Sequence, residues 1–222
     1  MCIRDSPRDA SHYHYKATFT KPHFAGYLAG EYALTQAVQQ TAYDGMWLLP
    51  AHPDLQFLDT GGAGNPEKEV RFVADVYDSF GSPEPRPYAA FDWIILDTPP
   101  AISAYTRYAL AAADYVLAPA RARPSSRAGL LNTLNTFTAM GALMNRQPVL
   151  LGCVLTQWTD DLQSRDSVKT ITELCQQFNS RIFEQEIPMD ATIERTTMRP
   201  TSRAFAAYAA LGEEMMSYVS SS

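Results

Sequence analysis

Four short apolar runs recur along the chain with amphipathic stretches between them, and this alternation constrains the fold more than any other feature. Met46-Trp47-Leu48-Leu49 stops at Pro50, Trp93-Ile94-Ile95-Leu96 at Asp97, Tyr115-Val116-Leu117-Ala118 at Pro119, and Val149 to Leu155 at Thr156. A strand that is apolar without alternation has no solvent face, so these runs predict strands buried on both sides. Helical patterns separate them. Val70, Val73, Tyr77 and Phe80 keep a helical repeat, with Asn65 placed as a cap and Pro66 at the first helical position. Leu130, Leu134, Phe137 and Met144 form a second stripe, and Val168, Ile171, Leu174 and Phe178 a third. Phe205, Tyr208, Leu211 and Met215 mark a closing helix, and Gly26 to Gln40 reads as an early one. The expectation is an α/β fold: a mostly parallel, twisted sheet with helices on both faces and right-handed crossovers.

With 222 residues, 46% of them hydrophobic, the chain has material for one substantial core, so residues 26–222 are expected to form one domain. Residues 1–25 read as a poorly defined leader: Met1 to Tyr15 show no periodicity, so no clear element is expected there, and Met1-Cys2-Ile3-Arg4-Asp5-Ser6 looks like read-through sequence. Cys2, Cys153 and Cys175 lack the spacing of a zinc knuckle or a redox dithiol. The sequence has neither a run of about eighteen apolar residues nor a secretion-type leader, so a cytoplasmic protein is expected. A net charge of -6 excludes a surface that is basic throughout, and any nucleic-acid contact needs a local arginine cluster.

In open parallel sheets ligands sit beyond the carboxyl ends of the strands, which nominates Asp97, Pro119, Thr156 and Pro188. A carboxylate at Asp97, followed by the stiff Thr98-Pro99-Pro100 turn, is placed to hold the water shell of Mg²⁺. A strand-terminal Asp also serves simply as a cap for the next helix.

The continuation is more specific. Asp97-Thr98-Pro99-Pro100-Ala101-Ile102-Ser103, then Leu110-Ala111-Ala112-Ala113-Asp114-Tyr115-Val116-Leu117-Ala118-Pro119, resembles the Walker B and switch II region of the ParA/MinD family of P-loop ATPases. Ser126, Gly129 and Leu130 are similar to the family's Ser-x-x-Gly-Leu helix start, Gly152 to Thr156 to its apolar strand ending in Thr or Asn, and Ile187-Pro188-Met189-Asp190 to its Ile-Pro-x-Asp turn. Ala204 to Met215 resembles the closing helix, and the likeness spans about Gly45 to Ser217. It implies ATP and Mg²⁺ as cofactors, Asp97 as the water-mediated metal residue, Thr98, Pro99 and Pro100 as a switch, and Thr156, Gln157, Pro188 and Asp190 around adenine. For Pro188 and Asp190 a plain turn with an Asx hydrogen bond is the competing reading. The resemblance also implies a homodimer closed over nucleotide, a ParB-like stimulatory partner, and sequence-independent DNA contact through Arg195, Arg199 and Arg203, which equally read as a solvated approach to the helix. Glu213 and Glu214 stand where membrane-anchoring relatives carry lysines, so no membrane partner is expected.

The phosphate loop Gly-x-x-x-x-Gly-Lys-Ser/Thr does not occur in this sequence, nor does the family's Asp-x-Asp segment before Gly45. Gly61-Gly62-Ala63-Gly64-Asn65 follows the strand-like Leu55 to Leu58, but it has no Gly-Lys-Ser/Thr ending, and Lys68 falls inside the next helix. No catalytic residue is therefore identified. The expectation is a chain that has lost its first strand and phosphate loop, with a hydrolysis-dead adaptor as the alternative.

Overall fold

The computed structural model describes residues 2–3, 22–41, 43–55, 65–81, 91–98, 103–143, 148–190 and 201–220. The chain falls into two units, Met1–Ala113 and Asp114–Ser222, each with its own sheet.

The first unit runs β1 (Cys2–Ile3), α1 (Phe24–Ala29), α2 (Leu34–Ala37), β2 (Gln39–Gln40), β3 (Trp47–Leu49), α3 (Pro66–Gly81), β4 (Ile95–Leu96) and α4 (Ala104–Ala112). The strand order is β2-β3-β1-β4, with β1 parallel to both β3 and β4 and β2 antiparallel to β3. The leader, expected to hold no element, thus supplies a two-residue strand between β3 and β4. The helix expected over Gly26 to Gln40 is broken. Gly30 adopts φ 84°, a left-handed C-cap whose N–H returns to the Gly26 and Tyr27 carbonyls, and α2 and β2 follow separately. A glycine makes that conformation without a Cβ penalty, and helix propensity on either side does not carry the chain through it.

The core of this unit joins α1, α3 and α4 through Phe24, Tyr27, Leu28, Phe72, Val76 and Tyr108. The α3 stripe therefore differs from the expected one. Phe72 is buried and Val70 is 69% exposed; Tyr77 and Phe80 have side chains outside those described. Asn65 caps α3 as expected, its Oδ1 accepting from the Glu67 and Lys68 amides at 2.9 and 3.4 Å. The Tyr108 hydroxyl accepts from the Asn65 amide at 3.0 Å and so fastens that cap to α4. The strand expected at Trp93 to Leu96 is short and open rather than buried on both faces: Ile95 is 62% exposed.

The second unit runs β5 (Tyr115–Arg121), α5 (Ser126–Leu143), β6 (Val149–Thr156), α6 (Leu162–Gln177) and α7 (Arg203–Ser220), with β5 and β6 parallel. β5 continues through Pro119 instead of ending there, which leaves Pro119 exposed within the strand. Successive residues of β6 face opposite cores. Cys153 and Leu155 pack with Leu130 and Leu134 of α5 and Ile171, Leu174 and Cys175 of α6, while Leu151 and Val154 pack with Phe183, Ile187 and Leu211. Both faces are covered, so a continuous apolar run costs nothing in exposed surface. The α5 and α6 stripes agree with the sequence pattern; Met144 lies outside the described residues. On α7 the buried face is Ala204, Ala207 and Leu211, while Phe205 and Tyr208 are exposed. Cys153 and Cys175 are buried, unoxidised neighbours, and their contact and burial push the Cys153 thiol up.

Candidate functional site

Asp97 directly follows β4, at the carboxyl end of a strand parallel to β1, and is solvent-exposed; Thr98 beside it is exposed as well. This is the edge at which open parallel sheets bind ligands. Pro99 and Pro100 lie outside the described residues. Among the described residues no group of three or more His, Cys, Asp or Glu side chains is placed to hold a metal. Mg²⁺ keeps most of its water and takes one or two carboxylates, so a single exposed Asp is a fitting partner for its hydration shell.

In the second unit, β6 ends at Thr156 and the chain turns through Gln157, whose φ of 53° is left-handed. That turn sends Trp158 alongside Pro188 in a parallel bridge. The bridge is bonded on both sides. The Ile187 amide donates to the Leu155 carbonyl at 2.8 Å, the Trp158 amide to the Ile187 carbonyl at 3.0 Å, and the Met189 amide to the Trp158 carbonyl at 2.9 Å. Thr156, Gln157 and Pro188 therefore stand on neighbouring chain segments. Thr156 Oγ1 donates to the Ala120 carbonyl at 3.4 Å. Asp190 leans the other way: its carboxylate accepts from the Ala204 amide at 3.4 Å, at the start of α7.

A cavity of about 500 Å³ opens between this bridge and α7, lined in part by Trp158, Glu186, Pro188 and Arg203. Burial raises the Glu186 carboxyl above its ordinary range. Arg203, an expected DNA contact, is the first residue of α7 and borders this cavity; Arg195 and Arg199 lie outside the described residues.

The turn beyond Trp158 is held by a polar cluster. Arg123 Nη1 donates to Asp161 Oδ1 and Oδ2 at 3.2 and 3.0 Å and to Ser164 Oγ at 3.1 Å, and its Nη2 donates to Thr159 Oγ1 at 3.1 Å. Asp161 also caps α6, accepting from the Ser164 amide at 2.7 Å. The Thr159 hydroxyl, the Ser164 amide and Arg123 together hold its carboxyl well below the usual range. The sequence patterns above nominate neither Trp158 nor this cluster. Trp158 carried a usable signal, an aromatic two residues past a strand end. The pairing of Arg123 with Asp161 carried none, because 38 residues separate them.

Residues 9–147 match the AAA domain family AAA_31. The chain is 29% identical over 184 residues to the chromosome-partitioning ATPase Soj of Thermus thermophilus, covering 79% of this chain and 68% of that protein. Its fold is similar to cobyrinic acid a,c-diamide synthase of Mycobacterium smegmatis with bound ATP analogue and magnesium, at 20% identity and TM-score 0.76 over 96% of this chain and 79% of that one. It is also similar to the cell division ATPase MinD of Pyrococcus furiosus, at 17% identity and TM-score 0.66 over 97% and 84%. Matched over more than half its length by one family and similar in sequence to Soj, the chain belongs to the AAA domain family, in its ParA/MinD group of P-loop ATPases.

Proposed function

We propose that the chain belongs to a ParA-like ATPase of plasmid or chromosome partitioning, or of intracellular positioning, whose hydrolysing form is a homodimer closed over ATP and Mg²⁺ and stimulated by a ParB-like partner. The observation that carries this reading is the bonded parallel bridge between Trp158 and Pro188, which sets side by side the two loops that the family resemblance assigns to adenine. Thr156, Gln157 and Pro188 would border the base, Asp190 would brace the start of α7 behind it, and Asp97 would hold metal-bound water. Bound Mg²⁺ would supply charge neutralisation at the phosphates. Thr98, Pro99 and Pro100, which follow Asp97 in the sequence, would serve as the switch. The Thermus relative, named a chromosome-partitioning ATPase, supports the choice of system. Among the described residues no helix is long and apolar enough to cross a membrane. DNA is the cargo surface favoured here, because α7 carries Glu213 and Glu214 where membrane-anchoring relatives carry lysines.

The residues present fit the base and metal-water ends of the nucleotide. They do not fit its phosphates, because the sequence contains no Gly-x-x-x-x-Gly-Lys-Ser/Thr string, and no hydrolytic step is derived from this chain. That same observation favours a second reading, a hydrolysis-dead adaptor. Calorimetric titration separates the two. The 222-residue chain should bind ATP with Mg²⁺ more weakly than about 1 mM, since less than about 4 kcal/mol remains without backbone amides and lysine at the phosphates. A longer gene product carrying such a loop should bind at micromolar levels and hydrolyse. Micromolar binding by the short form would overturn this account and move the phosphate site to Gly61 to Asn65.

The DNA reading rests on Arg195, Arg199 and Arg203 against a net charge of -6. Replacing all three with alanine should lower the slope of log K against log salt by about two to three units. Unchanged salt dependence returns them to a solvated approach to α7. Because Arg203 borders the cavity beside Trp158, the single Arg203→Ala variant separates a base contact from a DNA contact.

A further inference from the structure

α1 begins at an imidazole rather than at a hydroxyl or carboxylate. His23 is its N-cap, and Nδ1 accepts from the Gly26 amide at 3.1 Å. Acceptance requires a lone pair on Nδ1, so the ring is neutral with its proton on Nε2. The His23 ring stacks on that of His52, with centroids 3.9 Å apart and planes 10° apart. His52 sits in the turn that follows β3, and the same turn receives the Phe24 amide on the Pro50 carbonyl at 2.9 Å. The backbone of His23 is itself gripped by Tyr32, whose hydroxyl accepts from the His23 amide at 2.7 Å and donates to the His23 carbonyl at 2.9 Å.

The two rings differ in what protonation does to them. His52 Nδ1 lies 3.2 Å from both the Asp54 amide and Asp54 Oδ2. Neutral, it accepts from the amide; protonated, it donates to the carboxylate, so it keeps a partner in either state. His23 does not. Protonated at Nδ1, it turns a donor toward the Gly26 N–H, and its charge would lie against the His52 ring.

We propose that the stacked His23–His52 pair is a pH-sensitive latch, in which neutral His23 holds α1 closed against the Pro50–Asp54 turn and protonation releases it. The groups that face His23 are His52 and Asp54 from that turn and Glu31 and Tyr32 from the segment after α1. Burial and the neighbouring His52 lower the His23 pKa, and they outweigh the opposing pull of the Asp54 and Glu31 carboxylates. The folded chain therefore binds this proton less readily than the unfolded chain. The latch is fully closed above the ordinary histidine range near pH 6.5 and weakens as pH falls below it. Release frees the first turn of a helix whose Phe24, Ala25, Tyr27 and Leu28 are buried, beside the carboxyl end of β3.

Amide hydrogen exchange followed by nuclear magnetic resonance tests this. After correction for intrinsic chemistry, opening at Gly26 and Tyr27 should be about fivefold more populated near pH 5 than near pH 7.5, the value of one N-cap. His23→Asn supplies an amide oxygen that accepts at either pH, and it should abolish the difference. The same fivefold change in that variant would overturn the proposal. Should the variant not fold, ¹⁵N shifts of the wild-type imidazoles decide. Nδ1 as the unprotonated nitrogen of His23, titrating below free histidine, supports the latch. A proton on Nδ1 at neutral pH, or titration at or above the free value, refutes it.

Discussion

Gly152→Val should cost about 3–5 kcal/mol, a large share of the 5–15 kcal/mol that holds a typical domain together. Gly152 sits in β6 at φ 153°, a region that side chains rarely enter. It also stands where the register between β5 and β6 jumps, so that Leu151 is bulged out of the ladder. The bulge is used. The Leu151 carbonyl accepts from Arg181 Nε at 3.1 Å, and the Cys153 amide donates to the Arg181 carbonyl at 2.7 Å. A Cβ at position 152 would meet that carbonyl oxygen at 2.9 Å and the Phe183 ring at 3.0 Å. Backbone strain of about 1–3 kcal/mol and overpacking of a similar size then add, and the segment leading to Pro188 has to move. Gly212→Ala is the control: nothing lies within 4 Å of its added Cβ, so the change should be neutral or slightly stabilising. Urea titration of both variants gives the answer. A Gly152→Val unfolding free energy within about 0.5 kcal/mol of wild type would mean that β6 tolerates a side chain there and that the bulge is not needed.

Phe72→Ala should cost about 3–5 kcal/mol, and Val70→Ala, two residues earlier on α3, less than about 0.5. Phe72 is buried with its ring 5.5 Å from that of Phe24 and 6.5 Å from that of Tyr27. Tyr27 is itself fixed at its far end, its hydroxyl donating to Asp75 Oδ2 at 2.7 Å. Truncating Phe72 removes the centre of this aromatic group and leaves a void that three fixed elements close poorly. Chemical denaturation followed by circular dichroism distinguishes the pair. Equal effects at the two positions would put the wrong face of α3 in the core.

That pair also locates one limit of the sequence. Apolar residues at 70, 72, 73, 76, 77 and 80 fit two overlapping helical stripes, and periodicity cannot choose between them. The choice is made by Phe24 and Tyr27, distant in sequence, so it is legible only in the fold. The stripes on α5 and α6 offer a single register each, and they agree. The break at Gly30 is masked in the sequence by good helix formers on either side. At the site, Asp97, Thr156 and Pro188 could be nominated because the end of an apolar run in a parallel sheet marks the ligand edge whatever the rest of the chain does. The Asp161 cap, the Arg123 cluster and the cavity beside Trp158 depend on which loops meet, which local pattern does not encode. The base, metal and DNA roles of these residues rest on family resemblance, and the ATP titration and arginine variants above test the nucleotide and DNA readings.

The buried sulfur pair in the second unit has a kinetic meaning. Cys153 lies on β6 and Cys175 on α6, both without exposed surface, and the Cys153 thiol is pushed up by its contact with Cys175 and by burial. The thiolate is the group that attacks a thiol reagent, and burial keeps the reagent from both sulfurs, so neither reacts until β6 and α6 part. With reagent concentrated enough to outpace reclosing, their rate of modification counts openings of the β6–α6 layer one event at a time, and a residue such as Gly152, adjacent to Cys153, sets how fast that clock runs.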